Sequence, residues 1–493
     1  MQLRFKARGY WKVWKLTGIW LFMALIWTSG TKLRTRSRRA NSFAYSNIDT
    51  SKDSVFIEGC VDFQLYRQQP EYAAQNATFV MLTRNEELRG VLATIRSMER
   101  HFNQWYQYPY VLLNNEPFDS EFIRQVTAAT RAKVHFGVLS ELEWDFPPEV
   151  REKLVFRESI EDQGDRGIMY GNLESYHKMC RFYAGAFYKH SLVAQYEWYW
   201  RIEPDVEFFC DLTYDPFYEM SRRGKKYGFT VFIGELYWTV PNLFRHTRSF
   251  IRKNKVKMGT LWPLVVRSYN TDFDDDEVLR RFINFDSEVE PELSKELKIQ
   301  QLLENVKKAK SQDVDREALE LLIERASRKP PILEDKFDGE EFNLCHFWSN
   351  FEIARVDIFS TGLYSDYFKF LEESGGFWSE RWGDAPVHTL GLGMMLDVED
   401  VHYFRDIGYQ HSTLAHCPIN KAGRQLPYVE NVEYQGLLRG GNMVQKVLKD
   451  LSRVQEPEKQ YGVGCRCKCP RKRDIEDTSQ CFRNWYDLTS GDR

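Results

Sequence analysis

Charge is nearly balanced in this chain, with 68 Lys and Arg against 71 Asp and Glu, a net of −3 over 493 residues. A nucleic-acid partner calls for an excess of basic side chains facing the phosphates; bulk charge supplies none, so partners must be argued from sites. No internal repeat is evident, which excludes an architecture of stacked units. The apolar run from about Leu16 to Gly30, in WKLTGIWLFMALIWTSG, is followed by no convincing small-x-small cleavage site, because Ile26, Trp27 and Thr28 intervene. That absence argues against a removed signal peptide. The C-terminal stretch CRCKCPRKRDIEDTSQC lacks the pair-of-pairs spacing usual for structural zinc.

What is present points to a folded body. Hydrophobic residues make up 43% of the chain and aromatics 15%, with 14 Trp, which is too apolar for a disordered polymer. The length allows one large domain or two to three smaller ones. Arg4, Lys6, Arg8, Lys12 and Lys15 precede the apolar run, which is short for a bilayer span but tolerable in thin early-secretory membranes, so it reads as a retained signal-anchor. Charge does not orient it, since Lys32, Arg34, Arg36, Arg38 and Arg39 match the basic residues on the other side. The short N-terminal tail makes a lumenal body the natural reading. NAT at Asn76 is an N-glycosylation acceptor pattern, although one such triplet arises by chance in a chain this long. Nine cysteines in an oxidising compartment would mostly pair and leave one over; Cys465, Cys467, Cys469 and Cys481 read as disulfide partners, with zinc as the alternative.

These signals divide the chain into a cytoplasmic tail (1–15), a signal-anchor (16–30), a polar stem (31–54), a lumenal domain (55–460) and a Cys-rich tail (461–493). Within the body, ATFVMLTRN reads as a strand, EELRGVLATIRSMERHFN as a helix burying Leu88, Val91, Leu92, Ile95 and Met98, and YPYVLLNNE as a second strand. Such a β-α-β unit implies parallel strands covered by helices, with ligands gathering at the strands' carboxyl ends. Thr83, Arg84 and Asn85 sit at one such end. A third strand, AKVHFGVL, follows, and YHKMCRFYAGAFY reads as a buried aromatic helix. From about 252 to 338 the chain turns charged and helical, which predicts an inserted helical subdomain whose acidic run, TDFDDDEVLRRF, is a solvated face.

The chemistry concentrates at WRIEPDVEFFCDL. Pro204 forces an extended residue before it, and residues two apart in an extended segment share a side, so Glu203 and Asp205 are expected to face one hard cation at a strand end. Oxygen ligands of that kind suit Mg²⁺ or Mn²⁺ bridging a diphosphate. Glu352 lies inside the apolar HFWSNFEI and needs a reason to be there; an ion pair with Arg355 or Arg381 is the plain alternative to a functional role. His411 is a candidate nitrogen ligand. Asp384 in RWGDAPVH either works in a site or caps the helix that begins beside it, and Tyr176 would otherwise be assigned to core.

SYHKMCRFYAGAFY, YWRIEPDVEFFCD, NLCHFWSNFEI and GGFWSERWGDAPVH together resemble the fungal Golgi α-1,2-mannosyltransferases, glycosyltransferase family 15, in the family's order over about 77–417. The resemblance implies an α/β, GT-A-like nucleotide-sugar-binding fold with a mixed central sheet, in a type II Golgi membrane protein. It implies GDP-mannose as donor, a mannose-terminated glycan as acceptor, Mn²⁺ as cofactor and retention of anomeric configuration. It casts Glu203 and His411 as metal ligands with Asp205 beside them, Glu352 as nucleophile or oxocarbenium-stabilising base, and Tyr176 and Asp384 as further active-site residues. Retaining glycosidases assign that nucleophilic or stabilising part to their second carboxylate; front-face return without a covalent intermediate is the other route. The readings from other classes are a membrane-anchored mannan-binding lectin and a scaffold for Golgi transferase complexes.

Overall fold

The computed structural model describes residues 54–268, 336–337, 340–429, 453–470 and 474–489. The signal-anchor, the stem up to residue 53 and most of the expected insertion lie outside them. Among the described residues no helix is long and apolar enough to cross a membrane.

Ten strands position the site: β1 (Ala77–Leu82), β2 (Tyr110–Asn114), β3 (Val134–Val138), β4 (Trp198–Arg201), β5 (Glu207–Phe208), β6 (Tyr227–Phe229), β7 (Glu352–Arg355), β8 (Val401–Tyr403), β9 (Tyr409–His411) and β10 (Leu414–His416). Six helices support them: α1 (Leu88–Met98), α2 (Ser120–Ala128), α3 (Glu174–Gly185), α4 (Leu243–Asn254), α5 (Asp384–Met395) and α6 (Gln480–Thr489).

Seven strands form the central sheet in the order β8-β6-β7-β4-β1-β2-β3. All neighbours run parallel except β7, which is antiparallel to both β4 and β6, so the sheet is mixed as expected. The continuous apolar runs of β1 and β2 follow from helices covering both faces. Alternation along β4 divides its side chains between two aromatic layers. Trp200 meets Phe79, Phe102 and Phe217, whereas Tyr199 meets Phe187 and Phe359. β2 and β4 flank β1, so chain progress reverses there, and the crevice beyond the carboxyl ends of β1 and β4 is the switch point at which open α/β sheets bind ligands.

The chain does not leave the body at 252. α4 continues to Asn254, Leu261, Trp262 and Leu264 are buried, and Val266–Ser268 pairs antiparallel with Glu340–Phe342. The charges at Arg252, Lys253 and Lys255 belong to the solvated end of α4.

The C-terminal stretch is fastened to the body. Its four cysteines pair outward as Cys60–Cys465, Cys210–Cys467, Cys417–Cys469 and Cys345–Cys481, which sets zinc aside and leaves Cys180 as the buried unpaired thiol. Phe482 and Trp485 of α6 pack against Phe229 beneath the sheet edge. Each bridge removes freedom from the unfolded chain, typically about 2–4 kcal/mol per disulfide.

Candidate active site

Beyond β1 and β4 opens a cleft of about 830 Å³, lined in part by Thr83, Arg84, Asn85, Tyr176, Glu203 and Pro204. Local hydrogen bonds hold its floor. Thr83 Oγ1 and the Arg84 amide both donate to Glu87, at 3.2 and 2.9 Å. Asn85 ties this loop to the one after β2, donating to the Pro117 carbonyl and accepting from the Asp119 amide, both at 3.1 Å. Arg84 also reaches Glu87 through its guanidinium; that bond holds its pKa above the ordinary arginine value.

β4 ends at Arg201 and the chain turns at once. Pro204 and Asp205 occupy a tight turn with Asp205 at φ 60°, the combination of proline followed by a left-handed residue that marks a type II turn. The extended Glu-Pro-Asp segment expected from sequence is thus a turn, and the two carboxylates part. Glu203 faces the cleft, while Asp205 is exposed and leans over α1, where a Cβ on Gly90 would come within 2.7 Å of its carboxylate.

The turn delivers the chain into β5, which pairs with β9 in the register Phe208 with Tyr409 and Glu207 with Gln410. That pairing carries His411 to the turn. Its Nε2 lies 3.6 Å from Glu203 Oε2, with side chains 23% and 21% exposed. Two donors of one first-row cation, each at about 2 Å, are separated by roughly this much. The set of one carboxylate, one imidazole and open solvent-facing positions fits Mn²⁺ with diphosphate oxygens completing the shell. On the far side of the ring, His411 Nδ1 is 2.8 Å from the Asn350 amide, and Trp348 packs against the imidazole with centroids 5.3 Å apart.

Sequence reasoning missed Arg201. Its guanidinium, buried on the strand's last residue, contacts Glu203 at 2.6 Å and Asp384 at 2.5 Å and stacks 3.4 Å over the ring of Tyr183. The signal was a charged residue closing the otherwise aromatic WYWR. Asp384 opens α5 and accepts from Ser349 Oγ at 2.6 Å as well as from Arg201. Burial works against its charge, but Arg201, His388 and these bonds outweigh it and hold its carboxyl below the usual range. Asp384 therefore reaches Glu203 through Arg201 and not directly.

Glu352 is fully enclosed. It accepts from Tyr199 at 2.8 Å and Tyr227 at 3.1 Å, with His388 Nδ1 at 3.3 Å, and pairs with neither Arg355 nor Arg381. It stands opposite Arg201 across the β7–β4 ladder, beneath the cleft and outside its lining. Tyr176 does line the cleft, stacked on Tyr170 with centroids 4.8 Å apart and with Arg381 Nη1 at 3.4 Å from its hydroxyl. Burial raises the pKa of that phenol above its ordinary value.

Comparison with known proteins identifies the family. Residues 34–274 and 298–426 match the family described as glycolipid 2-alpha-mannosyltransferase. The probable mannosyltransferase KTR7 of Saccharomyces cerevisiae is 55% identical over 92% of this chain and 84% of its own length. The O-glycoside alpha-1,2-mannosyltransferase homolog 5 of Schizosaccharomyces pombe is 41% identical over 82% of this chain and 89% of its own. Among solved structures, core-mannan synthase A (CmsA/Ktr4) of Aspergillus fumigatus in its Mn/GDP form aligns with a TM-score of 0.54 at 31% identity, covering 76% of this chain and 84% of that one. The S. cerevisiae mannosyltransferase Ktr4p in complex with GDP aligns with a TM-score of 0.55 at 26% identity, covering 79% and 85%. The chain belongs to glycosyltransferase family 15, the fungal α-mannosyltransferases.

Proposed function

We propose that this protein is a Mn²⁺-dependent retaining α-1,2-mannosyltransferase that moves mannose from GDP-mannose to mannose-terminated N- or O-linked glycans in the Golgi lumen. The convergence of Glu203 and His411 at the switch-point cleft carries the reading. Names of relatives support the sugar and, for some, the linkage. The Mn/GDP and GDP forms of the aligned structures support the donor and the ion. Four disulfides support passage through an oxidising compartment, consistent with a type II anchor at 16–30.

Glu203 and His411 would hold the ion, whose charge would offset the diphosphate leaving group by several kcal/mol in the transition state. The chain's own residues do the rest. Arg201, clamped by Asp384, keeps a buried positive charge beside Glu203 and fixes that carboxylate's direction. The loop Thr83 to Asn85, bonded to Glu87, Pro117 and Asp119, presents a rigid floor on which a donor can be oriented. Tyr176 offers a hydroxyl and a ring face to a sugar. The enclosure of Glu352 by Tyr199, Tyr227 and His388 favours an electrostatic role under Arg201, with the acceptor hydroxyl entering on the face the diphosphate leaves.

The test is transfer by the detergent-solubilised chain. Release of GDP and appearance of an α-1,2-linked disaccharide from a mannoside acceptor are expected with Mn²⁺ and absent after chelation. Retention of acceptor with no GDP released under the same conditions would favour a mannan-binding lectin instead.

A further inference from the structure

We propose that Asn76 carries an N-linked glycan, attached before the domain folds. The inference rests on the lumenal reading of the proposed function and adds to it a modification site at a defined place in the fold. Asn76-Ala77-Thr78 is the acceptor triplet, and its middle residue is not proline. Eight of the nine cysteines are joined in disulfides, which independently argues for the oxidising compartment where such glycans are added.

The local geometry accommodates the sugar. Asn76 is exposed and immediately precedes β1. One N–H of its side-chain amide donates to the Gln195 carbonyl at 2.9 Å, while the backbone carbonyl accepts from Glu197 and Trp198. Glycosylation replaces a single amide hydrogen, so an N–H remains to make the Gln195 bond. The site lies at the amino end of β1 and the cleft at its carboxyl end, about 20 Å away for a six-residue strand at about 3.3 Å per residue. A glycan at Asn76 therefore leaves donor entry open.

Timing follows from Thr78. Its side chain is wholly buried in β1 with its hydroxyl donated to the Pro109 carbonyl at 2.9 Å, so a transferase that must read that hydroxyl cannot do so in the folded domain. The unfolded chain is the substrate. In the reaction Asn76 Nδ2 bonds to the anomeric carbon of a lipid-diphosphate oligosaccharide. The bond from that carbon to the diphosphate oxygen breaks, one amide proton passes to the transferase's base, and lipid diphosphate departs.

The test is expression of the full chain in yeast, as wild type, Asn76→Gln and Thr78→Val, with each product treated with peptide-N-glycosidase under denaturing conditions. A mobility shift in the wild type, with Asn76 converted to Asp in the peptide mass spectrum, and no shift in either variant is the expected result. Thr78→Val keeps the buried volume, so it reads the site even if Asn76→Gln folds poorly. No shift in the wild type, or a shift that persists in Asn76→Gln, overturns the proposal. Alkylation before and after reduction separates the two ways of failing. An unglycosylated chain with its disulfides formed sinks the site alone, whereas an unglycosylated chain with all thiols free sinks the lumenal reading with it.

Discussion

His411 Nε2 stands 3.6 Å from Glu203 Oε2, although the two residues come from opposite halves of the chain. What joins them is the pairing of β5 with β9 directly after the Pro204 turn. If these two are the protein's metal ligands, His411→Ala and Glu203→Gln should each weaken Mn²⁺ binding by at least the roughly 10–100-fold typical of lesser changes around a metal. Asp205→Asn, at an exposed side chain turned toward Gly90, should change it little. Mn²⁺ titration followed by electron paramagnetic resonance checks this without reference to turnover. Equal losses in all three variants would count against the assignment.

The sheet and the family were legible because each has a local signature. Apolar runs and helical spacing mark β1, α1 and β2, and the four long aromatic blocks mark the family. Three features were not legible, for different physical reasons. Pro204 constrains Glu203 to be extended, but it also sits comfortably at the second position of a turn, and Asp tolerates the left-handed position that follows; local sequence does not choose between these outcomes. Nothing local marks a partner for Arg201 at the end of WYWR, and only the fold brings Asp384 of α5 beneath it. Disulfide connectivity joins residues as far apart as Cys60 and Cys465, which no spacing reveals.

Arg201 links two carboxylates, so removing it should expose the cost of burying Asp384. Arg201→Met leaves that carboxylate without its cation and should destabilise the fold by about 3–5 kcal/mol. The double variant Arg201→Met, Asp384→Leu should recover most of that stability while transfer stays lost. Urea unfolding of the single and double variants measures the coupling. Additive losses would mean that the two residues do not act as one structural unit.

His416 is buried between Asp474 and Glu476, with Arg405 bonded to Glu476 at 2.9 Å, so the short helix Ile475–Thr478 is latched to β10 by charge. Burial lowers the imidazole's pKa, but Asp474 and Glu476 outweigh burial and raise it above the ordinary histidine value. A raised folded value means that the stabilisation is complete below about pH 6.5, the unfolded value, and fades as pH climbs through the folded one. His416→Gln should flatten that decline above about pH 6.5 in thermal unfolding.

Asp406 gives a pH dependence of different origin. Burial pushes its carboxyl up to about 7, only partly offset by Tyr214, whose hydroxyl donates to Oδ2 at 2.7 Å, and Oδ1 has no hydrogen-bond partner. The unfolded group ionises near pH 4, so stability should fall as pH rises from about 4 toward 7 and then level off. Asp406→Asn removes the charge that must be buried, and should raise stability at about pH 8 by about 1–3 kcal/mol while having little effect near pH 4. Thermal unfolding of both proteins at the two pH values measures the difference.

Glu352 separates two routes to retention. As a nucleophile it would form a mannosyl ester, and Glu352→Gln would cost turnover on the scale of about 10⁴–10⁶, as removal of a covalent catalyst does. As an enclosed carboxylate under Arg201 it acts through the field it sets. Gln in its place still accepts from Tyr199 or Tyr227, so GDP binding should persist and turnover should drop by about 10–100-fold. No mannosyl adduct should then appear on the Glu352 peptide when a slow fluorinated donor is incubated with the wild type and the digest is read by mass spectrometry. An adduct there would show that the layer of Tyr199, Tyr227 and His388 opens during the reaction, and would return Glu352 to the role of nucleophile.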